Sequence, residues 1–554
     1  MRKLYLILVL LVCSTLVIQG QDVERSAPDD WKGIVFGGRL MDRFLPMPET
    51  GEKTANTWGA KNVKPRYIDN GLEDNEWSYW GGNIQIDDNG TYHLFVCRWR
   101  EDDPKGHNAW PRSEVVHAIS ENSIGPYKVS QIIGPGHNPE IQKLKSGGYF
   151  LYAFKFSNAY SYYSETLDGP WEKIEFTYDT RQRELEDHFS NNTFAKREDG
   201  SMLMVGRGGG IWLSETGLPP YKKITEGTVY PPYDGRYEDP VVWRTDIQYH
   251  LVVNDWLGRL AYYMRSKNGV DWKLDKGEAY LPGIAKHKDG TIEDWYKFER
   301  IKVLQDAYGR AFQANFAVLD TIKKQDKGSD NHSSKNISIP MTVGKRIALV
   351  NTEKIDKNTS EIKVLIKAEP GFNPHKDIDL KSLRFGASEE VDFGRGSKFL
   401  RKEKVGKDLF LYFEGKNNGL TDDNFVAKLL GSTKKKSLLF GFARLPWVTY
   451  VTPILSSKFP EFSLNAKSLK AEIEVENFGQ VKSDVSEITI EYLENDTWHV
   501  FKKEKIPALK PYKKTTLTLW GKKMIERNKA IEVRVTIKGS NQKTTVLQGL
   551  VVVR

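Results

Sequence analysis

A short unit recurs five times in the first two thirds of the chain, and this repetition constrains the fold more than any other feature. Each copy opens with polar residues, continues as a short apolar run, turns at Gly, Asp or Asn, and ends in a second apolar run. The copies open at Gly82-Asn83, His137-Asn138, Asn191-Asn192, Glu238-Asp239 and Glu299-Arg300. Their spacing of roughly fifty residues is that of a propeller blade, which holds one small antiparallel sheet. The sequence therefore predicts an all-β chain that begins with a five-bladed β-propeller.

A second motif closes the units and supports the same prediction. It combines a Ser-Glu or Ser-Lys pair with a turn of the Gly-Pro-aromatic type. The turns are Gly125-Pro126-Tyr127, Gly169-Pro170-Trp171, Pro219-Pro220-Tyr221 and a variant with Gly269 and Trp272. A β-sandwich or a solenoid is the alternative, but five blades can close a ring that leaves no exposed sheet edge. We place the propeller, as the catalytic domain, at residues 31–353.

Two further β modules follow the repeats. Residues 371–455 contain alternating apolar runs broken by Gly-Asn-Asp turns, which predicts a β-sandwich. Residues 462–554 have the strand pattern of an immunoglobulin-like sandwich, and they resemble the bacterial CARDB-type adhesion module at Asn477-Phe478-Gly479 and at 506–511. Neither module carries a constellation that needs a chemical explanation. We therefore expect a fragment cut near Pro370 to keep the activity of the propeller.

The first twenty residues have the layout of a secretory signal peptide. Arg2 and Lys3 precede an apolar run over 4–12, and this run is too short to cross a bilayer. Removing those two cations lowers the formal charge from +9 to +7, and removing Cys13 leaves one cysteine, Cys97, which cannot form an internal disulfide. We expect a protein that is exported across the inner membrane into the periplasm and does not span a membrane. The mild basic excess comes without a nucleic-acid-binding motif, so no nucleic-acid partner is expected.

Polar residues open every copy of the unit, and these define a candidate site. The start of the innermost strand of each blade faces one mouth of the central channel, so polar residues there converge on one axis. The set of binding residues predicted in this way is Asn83, Arg98, Asn138, Asn192, Arg207, Asp239, Asn254 and Arg300, and the catalytic candidates are His137, Glu238 and Glu299. Five tryptophans, Trp80, Trp99, Trp110, Trp256 and Trp295, are expected near the same mouth. Aromatic faces stack on sugar rings and arginines bind carboxylates or sulfates, which indicates an acidic saccharide as the partner.

The blade openings, Glu238-Asp239-Pro240 and the closing turns resemble the five-bladed propeller carbohydrate enzymes that include glycoside hydrolase family 43. The resemblance covers about 31–352 and implies hydrolysis by a first-blade Asp as base, a second Asp as orienting residue and a Glu as acid. The chain departs from this pattern because Asn83 stands in the first blade and an amide cannot accept a proton from water.

The chain also looks like the propeller oligosaccharide dehydratases found in ulvan utilisation loci of marine Bacteroidota. Such enzymes eliminate water from a terminal uronic acid and leave a 4,5-unsaturated sugar. This resemblance implies that His137 abstracts the C5 proton, that Glu238 or Glu299 protonates the leaving hydroxyl, and that Arg98, Arg207 or Arg300, with Asn138 or Asn192, neutralises the carboxylate.

Elimination at the non-reducing end of an acidic, ulvan-type oligosaccharide is therefore the favoured prediction. An exo-acting hydrolase of the family 43 type is the alternative, and a non-catalytic sugar-binding protein is the third reading. No metal ligands and no cofactor are predicted; the Asp and Asn content is compatible with calcium, but no loop has a recognisable ligand spacing. The sequence leaves the oligomeric state open.

Overall fold

The computed structural model describes residues 25–55, 64–156, 158–464, 468–522 and 527–554. The expected signal peptide at 1–20 lies outside these residues. The described N-terminal part contains two 3-10 turns, Asp29–Trp31 and Met41–Arg43, and a small two-stranded sheet of β1 (Lys53–Thr54) and β2 (Arg66–Tyr67). This part runs along the propeller, and Leu45 N donates a hydrogen bond to Pro340 O at the outer edge of the last blade.

Five consecutive sheets follow, as the repeat predicts. The first has β3 (Trp77–Ile86), β4 (Tyr92–Arg100), β5 (Glu114–Ser120) and β6 (Lys128–Pro135), with a 3-10 turn at Gly106–Arg112. The second has β7 (His137–Lys143), β8 (Tyr149–Lys155), β9 (Asn158–Ser164) and β10 (Glu172–Ile174). The third has β11 (Tyr178–Asp179), β12 (Thr193–Lys196), β13 (Met202–Val205), β14 (Ile211–Ser214) and β15 (Tyr221–Lys223), and β11 pairs with β15 in parallel.

The fourth sheet has β16 (Tyr237–Arg244), β17 (Tyr249–Asp255), β18 (Leu260–Ser266) and β19 (Trp272–Tyr280), and the fifth has β20 (Lys297–Gln305), β21 (Ala311–Leu319) and β22 (Ser334–Pro340). The innermost strands of the five sheets are β3, β7, β12, β16 and β20; each lies beside the next, and β20 lies beside β3. The ring therefore closes, and the fold is all-β with a five-bladed propeller. We number the blades I to V in chain order.

Apolar side chains hold the ring together at every junction between neighbouring blades. Because strand side chains alternate between the two faces of a sheet, each blade presents an apolar face to both neighbours. Five buried clusters result, one at each junction; Leu151, Met204, Leu251, Phe316 and Leu94 are members of the successive clusters. Cys97 is buried and free, so these packed faces and the sheet hydrogen bonds stabilise the propeller without a disulfide.

The second module is one sheet of seven strands. They are β23 (Ile347–Leu349), β24 (Glu361–Ile366), β25 (Arg384–Gly386), β26 (Ser397–Val405), β27 (Asp408–Glu414), β28 (Val426–Ser432) and β29 (Leu438–Arg444), with a 3-10 turn at Leu380–Ser382 and a short helix α1 (Ser388–Val391). The sheet folds over one core, and its outermost strands β23 and β29 come close together.

This sheet starts before residue 371, the start expected from the sequence. Strand β23 pairs with β24, and β24 pairs with β27 along its whole length, from Glu361 opposite Glu414 to Ile366 opposite Leu409. A cut near Pro370 would therefore remove the partner of β24 and leave an unpaired apolar edge on the propeller fragment. The activity of a fragment cut near Pro370 stays a prediction, and a fragment that ends before β23 would avoid this unpaired edge.

The third module is a sandwich of two antiparallel sheets. One holds β30 (Leu455–Ser457), β31 (Glu461–Leu464), β32 (Ser468–Asn477) and β35 (Lys514–Lys522). The other holds β33 (Ser486–Glu494), β34 (Thr497–Ile506), β36 (Ala530–Lys538) and β37 (Thr545–Val552). Alternate residues of the facing strands, such as Ile473, Ile490 and Val533, form its buried core.

Candidate active site

One residue near the start of each innermost strand adopts a left-handed backbone conformation. These residues are Gly81 (φ +52°), Asn138 (φ +50°), Asn191 (φ +51°), Asp239 (φ +55°) and Arg300 (φ +51°). In blades I, II, IV and V the pairing register shifts at this point, which marks a β-bulge. Left-handed residues other than glycine are uncommon and cluster at functional sites. The five therefore mark equivalent positions around one end of the channel.

This equivalence corrects the position predicted in blade I. Asn83 lies two residues beyond the equivalent residue, which is Gly81. The side-chain Oδ1 of Asn83 accepts a hydrogen bond from Ile141 N at 3.3 Å, and Asn83 lines a cavity of about 340 Å³ that is walled by the later residues of the innermost strands. Asn83 is thus placed away from the candidate site. Gly81 has no side chain to offer, and a Cβ there would lie 2.9 Å from Asn138 Oδ1.

Hydrogen bonds connect residues of blades II to V that lie at the left-handed position or directly beside it. Asn138 Nδ2 donates to Asn191 Oδ1 at 2.7 Å, and Asn191 Nδ2 donates to Glu238 Oε1 at 2.6 Å. Arg300 Nη1 lies 3.4 Å from Asp239 Oδ1, and both side chains are buried. The structure thus brings together the predicted residues Asn138, Glu238, Asp239 and Arg300. We call this end of the channel the axial site.

Asn191 belongs to the axial site, whereas the sequence analysis chose its neighbour Asn192. Asn192 is buried between blades II and III, where its Nδ2 donates to Tyr152 Oη at 3.1 Å. The repeat marks the Asn-Asn pair but does not say which of the two takes the left-handed position. The local backbone decides this: Asn191 takes the left-handed conformation just before β12 begins at Thr193.

A cation and a histidine reach the axial site from blade III. Arg207 Nη1 lies 3.4 Å from Glu238 Oε1, and Arg207 Nε lies 2.9 Å from Asp187 Oδ2. His188 is exposed; its Nδ1 is 2.6 Å from Asp187 Oδ1 and its Nε2 is 3.2 Å from Arg207 Nη1. Arg207 was predicted, but Asp187 and His188 were not. They stand in the loop between β11 and β12, which has no counterpart in the other copies of the repeat. The Asp-His dipeptide is the sequence feature that could have indicated these two residues as candidates.

Two lysines that were not predicted from the sequence contact the carboxylate of Glu299. Lys323 Nζ donates to Glu299 Oε2 at 2.7 Å, and Lys297 Nζ lies 3.8 Å from Glu299 Oε1. Lys323 Nζ also lies 5.3 Å from the ring centroid of Trp80 and 5.8 Å from that of Trp256. The fifth-blade carboxylate therefore has a fixed positive partner between two indole rings.

Asp239 is the carboxyl group of this site whose protonation is most strongly perturbed. Burial and the neighbouring Glu238 charge raise its pKa to about 7, against the opposing effect of Arg300. The axial site thus combines Asp239, able to hold a proton near neutral pH, with two carboxylates that have cationic neighbours. Carboxyl groups in such contrasting environments are the usual basis of acid and base roles.

His137, the predicted base, is placed behind the axial site. Its Nδ1 lies 3.0 Å from Ser113 Oγ and 3.3 Å from Cys97 Sγ, and the rings of Trp99, Trp110 and Phe154 surround it. Burial, with the nearby charge of Arg300, lowers the pKa of His137 well below its ordinary value. A buried imidazole packed among aromatic rings fits a structural role, and a catalytic role for His137 stays a prediction from the sequence.

Two other predicted binding residues have different positions. Arg98 Nε donates to Glu114 Oε1 at 2.9 Å and its guanidinium lies 3.9 Å from the Trp77 ring centroid, so its contacts stay within blade I. Asn254 lies opposite Glu238 in the strand register of blade IV and is buried. Within the described residues its amide atoms have no hydrogen-bond partner, and they are buried beneath the surface of the axial site.

One group of side chains has the composition of a metal site, away from the axial set. It consists of His93, His117 and Asp168 on blades I and II. His93 Nδ1 and His117 Nε2 lie 2.9 Å apart, and Gln131 Nε2 lies 3.0 Å from His117 Nδ1. A chain of hydrogen bonds from Gln131 through His117 to His93 accounts for these nitrogen atoms. The arrangement therefore does not call for a metal ion.

Comparisons with known proteins give only distant structural neighbours. No protein-family model matches the chain, and no curated protein matches it. A thermostable family-43 glycoside hydrolase is 11% identical over 48% of this chain and 93% of its own, with a TM-score of 0.32. An α-L-arabinofuranosidase from Lactobacillus brevis is 12% identical over 48% of this chain and 91% of its own, with a TM-score of 0.35.

A third neighbour extends over more of the chain. The family 43 arabinoxylan arabinofuranohydrolase from Bacillus subtilis is 9% identical over 85% of this chain and 95% of its own, with a TM-score of 0.34. These neighbours belong to the glycoside hydrolase family that the sequence resembles. At such low identities and TM-scores, however, they carry no argument about reaction or substrate. Within the described residues no helix is long and apolar enough to cross a membrane.

Proposed function

We propose that the chain is a carbohydrate-active enzyme that hydrolyses a glycosidic bond at the axial site. The observation that carries this proposal is the pair Glu238 and Glu299, which come from adjacent blades at one end of the channel. The buried pair Asp239 and Arg300 follows them directly in the chain, one residue after each glutamate. Glycoside hydrolysis needs two such carboxyl groups, one to protonate the leaving oxygen and one to act as base or nucleophile.

The contacts of the two glutamates suggest how the roles are divided. Lys323 Nζ donates a hydrogen bond to Glu299 Oε2 and holds that carboxylate in place, so we assign Glu299 as the base or nucleophile. Asn191 and Arg207 both contact Oε1 of Glu238, which leaves Oε2 for the oxygen of a scissile bond. We therefore assign Glu238 as the proton donor. No part of this assignment depends on a first-blade carboxylate, which Gly81 cannot supply.

The surroundings of the pair favour an acidic sugar. Arg207 and Lys323 place positive charge beside the two glutamates, and guanidinium groups bind carboxylates and sulfates in two-point contacts. Trp256 is half-buried near Lys323 and offers an aromatic face of the kind that stacks on sugar rings. We infer that the substrate carries a uronic acid or a sulfate near the bond that breaks.

The test is incubation of the purified chain with defined acidic and neutral oligosaccharides, read by mass. Hydrolysis adds the mass of one water for each bond cleaved. Glu238→Gln and Glu299→Gln should each lower the rate by about 10²–10⁴-fold, because an amide can neither donate nor accept the proton. Glu121→Gln, in the exposed turn that closes blade I, is the matched control and should keep the wild-type rate. Wild-type rates in both site variants would overturn the proposal.

A second candidate reaction is elimination of water from a terminal uronate, as the sequence favours. The observation in its favour is the Asp187–His188 pair beside Arg207, since a histidine oriented by a carboxylate can take a proton next to a bound carboxylate. In the same mass experiment elimination removes one water and creates ultraviolet absorbance. His188→Ala would then abolish the reaction, whereas a hydrolase would tolerate that substitution far better than Glu299→Gln.

A further inference from the structure

A cavity of about 230 Å³ lies between the propeller and the second module, apart from the axial site. Its propeller walls come from blades IV and V and from the N-terminal segment, and include Leu40, Trp243 and Met341. Its other wall comes from the second module, with Ile347 on β23 and Phe440 on β29. Most of this lining is apolar or aromatic. A cavity of this kind suits the apolar body of a small molecule.

Arg43 is the buried charge in this cavity. Its side chain is stacked in an aromatic cage, with the guanidinium carbon 4.4 Å from the ring centroid of Phe440 and 5.3 Å from that of Tyr263. Arg43 is 6% exposed, and within the described residues its Nε has no hydrogen-bond partner and no carboxylate lies within 4.0 Å of its nitrogen atoms. An arginine stays protonated when buried, so this charge has no anion within the protein.

In contrast to Arg43, the neighbouring buried cations Arg265 and Lys428 each have a carboxylate partner. Arg265 Nε donates to Asp275 Oδ2 at 2.6 Å, and Lys428 Nζ is hydrogen-bonded to Asp392. Each of those cations therefore has its own carboxylate, and Arg43 is left as one uncompensated positive charge. Burying a charge without a partner is costly, because the charge loses its hydration. A bound anion would remove that cost.

The rim of the cavity is positively charged, like Arg43 inside it. Arg346 lies over the Tyr308 ring at 3.9 Å and donates from Nη1 to Tyr308 Oη at 2.8 Å. Lys345 lines the cavity beside it, and burial lowers its pKa. Among the described residues neither side chain has a carboxylate within ion-pair distance, and Asp246 is the carboxylate in the lining. The path into the cavity thus attracts anions.

From this juxtaposition of an apolar cavity and an uncompensated arginine, we propose that the junction of propeller and second module binds a small aromatic acid. The carboxylate pairs with Arg43, and the ring occupies the space between Trp243 and Phe440. The ligand would contact both modules at once, so its binding would stabilise their junction. This site is separate from the proposed hydrolytic site and does not depend on it.

The test is binding of phenylacetate to the full chain, measured by calorimetry, with the uncharged and equally shaped phenylacetamide beside it. We expect saturable binding of phenylacetate and at least about tenfold weaker binding of phenylacetamide, since the amide has no charge for Arg43. Arg43→Met keeps roughly the length of the side chain and should weaken the binding of phenylacetate by a similar factor. Arg401→Met is the control, because Arg401 is an exposed arginine stacked on the Tyr412 ring and paired with Glu361.

Three outcomes would overturn the proposal: equal affinity for the two probes, unchanged affinity in the Arg43→Met chain, or no binding of phenylacetate at all. Should Arg43→Met fail to fold, Arg346→Gln on the rim serves as the second variant. This variant should bind phenylacetate severalfold more weakly and bind phenylacetamide as the wild type does. An equal loss of affinity for both probes would also contradict a site selective for anions.

Discussion

Two buried acids, Asp326 and Glu101, lie near the chain segment that carries Lys323, whose side chain donates a hydrogen bond to Glu299. Burial and the nearby Glu101 raise the pKa of Asp326 to about 8, and burial raises the pKa of Glu101 to about 7 despite its hydrogen bonds from Ser78 and Ser333. At neutral pH Asp326 is therefore mostly protonated and Glu101 partly protonated. Ionising both would place like charges together near the segment that carries Lys323. We infer that the position of Lys323, and with it the hydrogen bond from Lys323 to Glu299, depends on these protons.

The residue-scale prediction is a change in stability with pH. The folded chain binds a proton at Asp326 more tightly than the unfolded chain, whose Asp has the ordinary pKa of 3.8. The free energy of unfolding should thus fall as the pH rises from about 4 to about 8. Asp326→Asn removes this contribution, so the variant should lose less stability than the wild type between about pH 5 and about pH 8 in denaturant titrations.

Asp88→Asn is the control for this titration, because Asp88 is exposed in the first hairpin turn of blade I. It should keep the pH dependence of the wild type. The interpretation fails if Asp326→Asn loses as much stability over this interval as the wild type does.

At the scale of the element, the left-handed residue near the start of each innermost strand positions the side chains of the site, and in blades I, II, IV and V it forms part of a β-bulge. Left-handed residues turn the strand so that Asn138, Asn191, Asp239 and Arg300 meet around the axis. Gly81 is the smallest member and leaves room for the others. Gly81→Ala would bring its Cβ within 2.9 Å of Asn138 Oδ1 and within 3.7 Å of Arg300 Cβ.

The prediction at this scale compares Gly81→Ala with Gly90→Ala. Both glycines have positive φ, so each substitution should cost about 1–2 kcal/mol of stability. A Cβ at Gly90 meets nothing within 4 Å, so only Gly81→Ala should displace the axial residues and also lower turnover. The measurements are denaturant unfolding and the rate on the substrate found by the mass assay. Equal loss of activity in the two variants would contradict the assigned role of Gly81.

The bulges also explain how far the sequence could predict the site. The repeat predicted the ring of blades, and the polar openings predicted Asn138, Glu238, Asp239 and Arg300 at one mouth. Asn83 was misplaced because the bulge in blade I puts the left-handed position at Gly81, two residues earlier, and the repeat carries no signal for this shift. His188 and Lys323 stand in loops that have no repeated counterpart, and only tertiary contacts place such loops.

At the scale of the whole molecule, the third module is docked on blade III by buried arginines. Arg181 Nη1 lies 3.3 Å from both Glu474 Oε1 and Glu476 Oε2, and its Nη2 donates to Ser456 O at 2.9 Å. Arg197 Nη1 donates to Phe478 O at 2.9 Å. Such contacts favour one orientation of the sandwich on the propeller.

The prediction at this scale is that Arg181→Met releases the third module. The substitution removes the buried guanidinium shared by Glu474 and Glu476 and leaves Glu476 with Lys222, whose Nζ lies 2.8 Å from Oε1, so we expect a loss of about 1–3 kcal/mol. Limited proteolysis of the chain near 453–461 should become faster, and the sandwich should unfold in a separate transition. Arg534→Met disrupts the partly exposed pair with Glu491 inside the sandwich and should leave the cleavage rate unchanged. Wild-type cleavage in Arg181→Met would show that the docking depends on other contacts.

Below the axial site, the buried ion pair of Lys302 and Glu140 joins blade V to blade II. Blade I lies between those two blades in the ring, so the pair lies across the axis of the channel. We infer that a sugar enters the axial site from the open end of the channel and that the product leaves by the same opening. The departing product would then compete with the next substrate molecule for that opening.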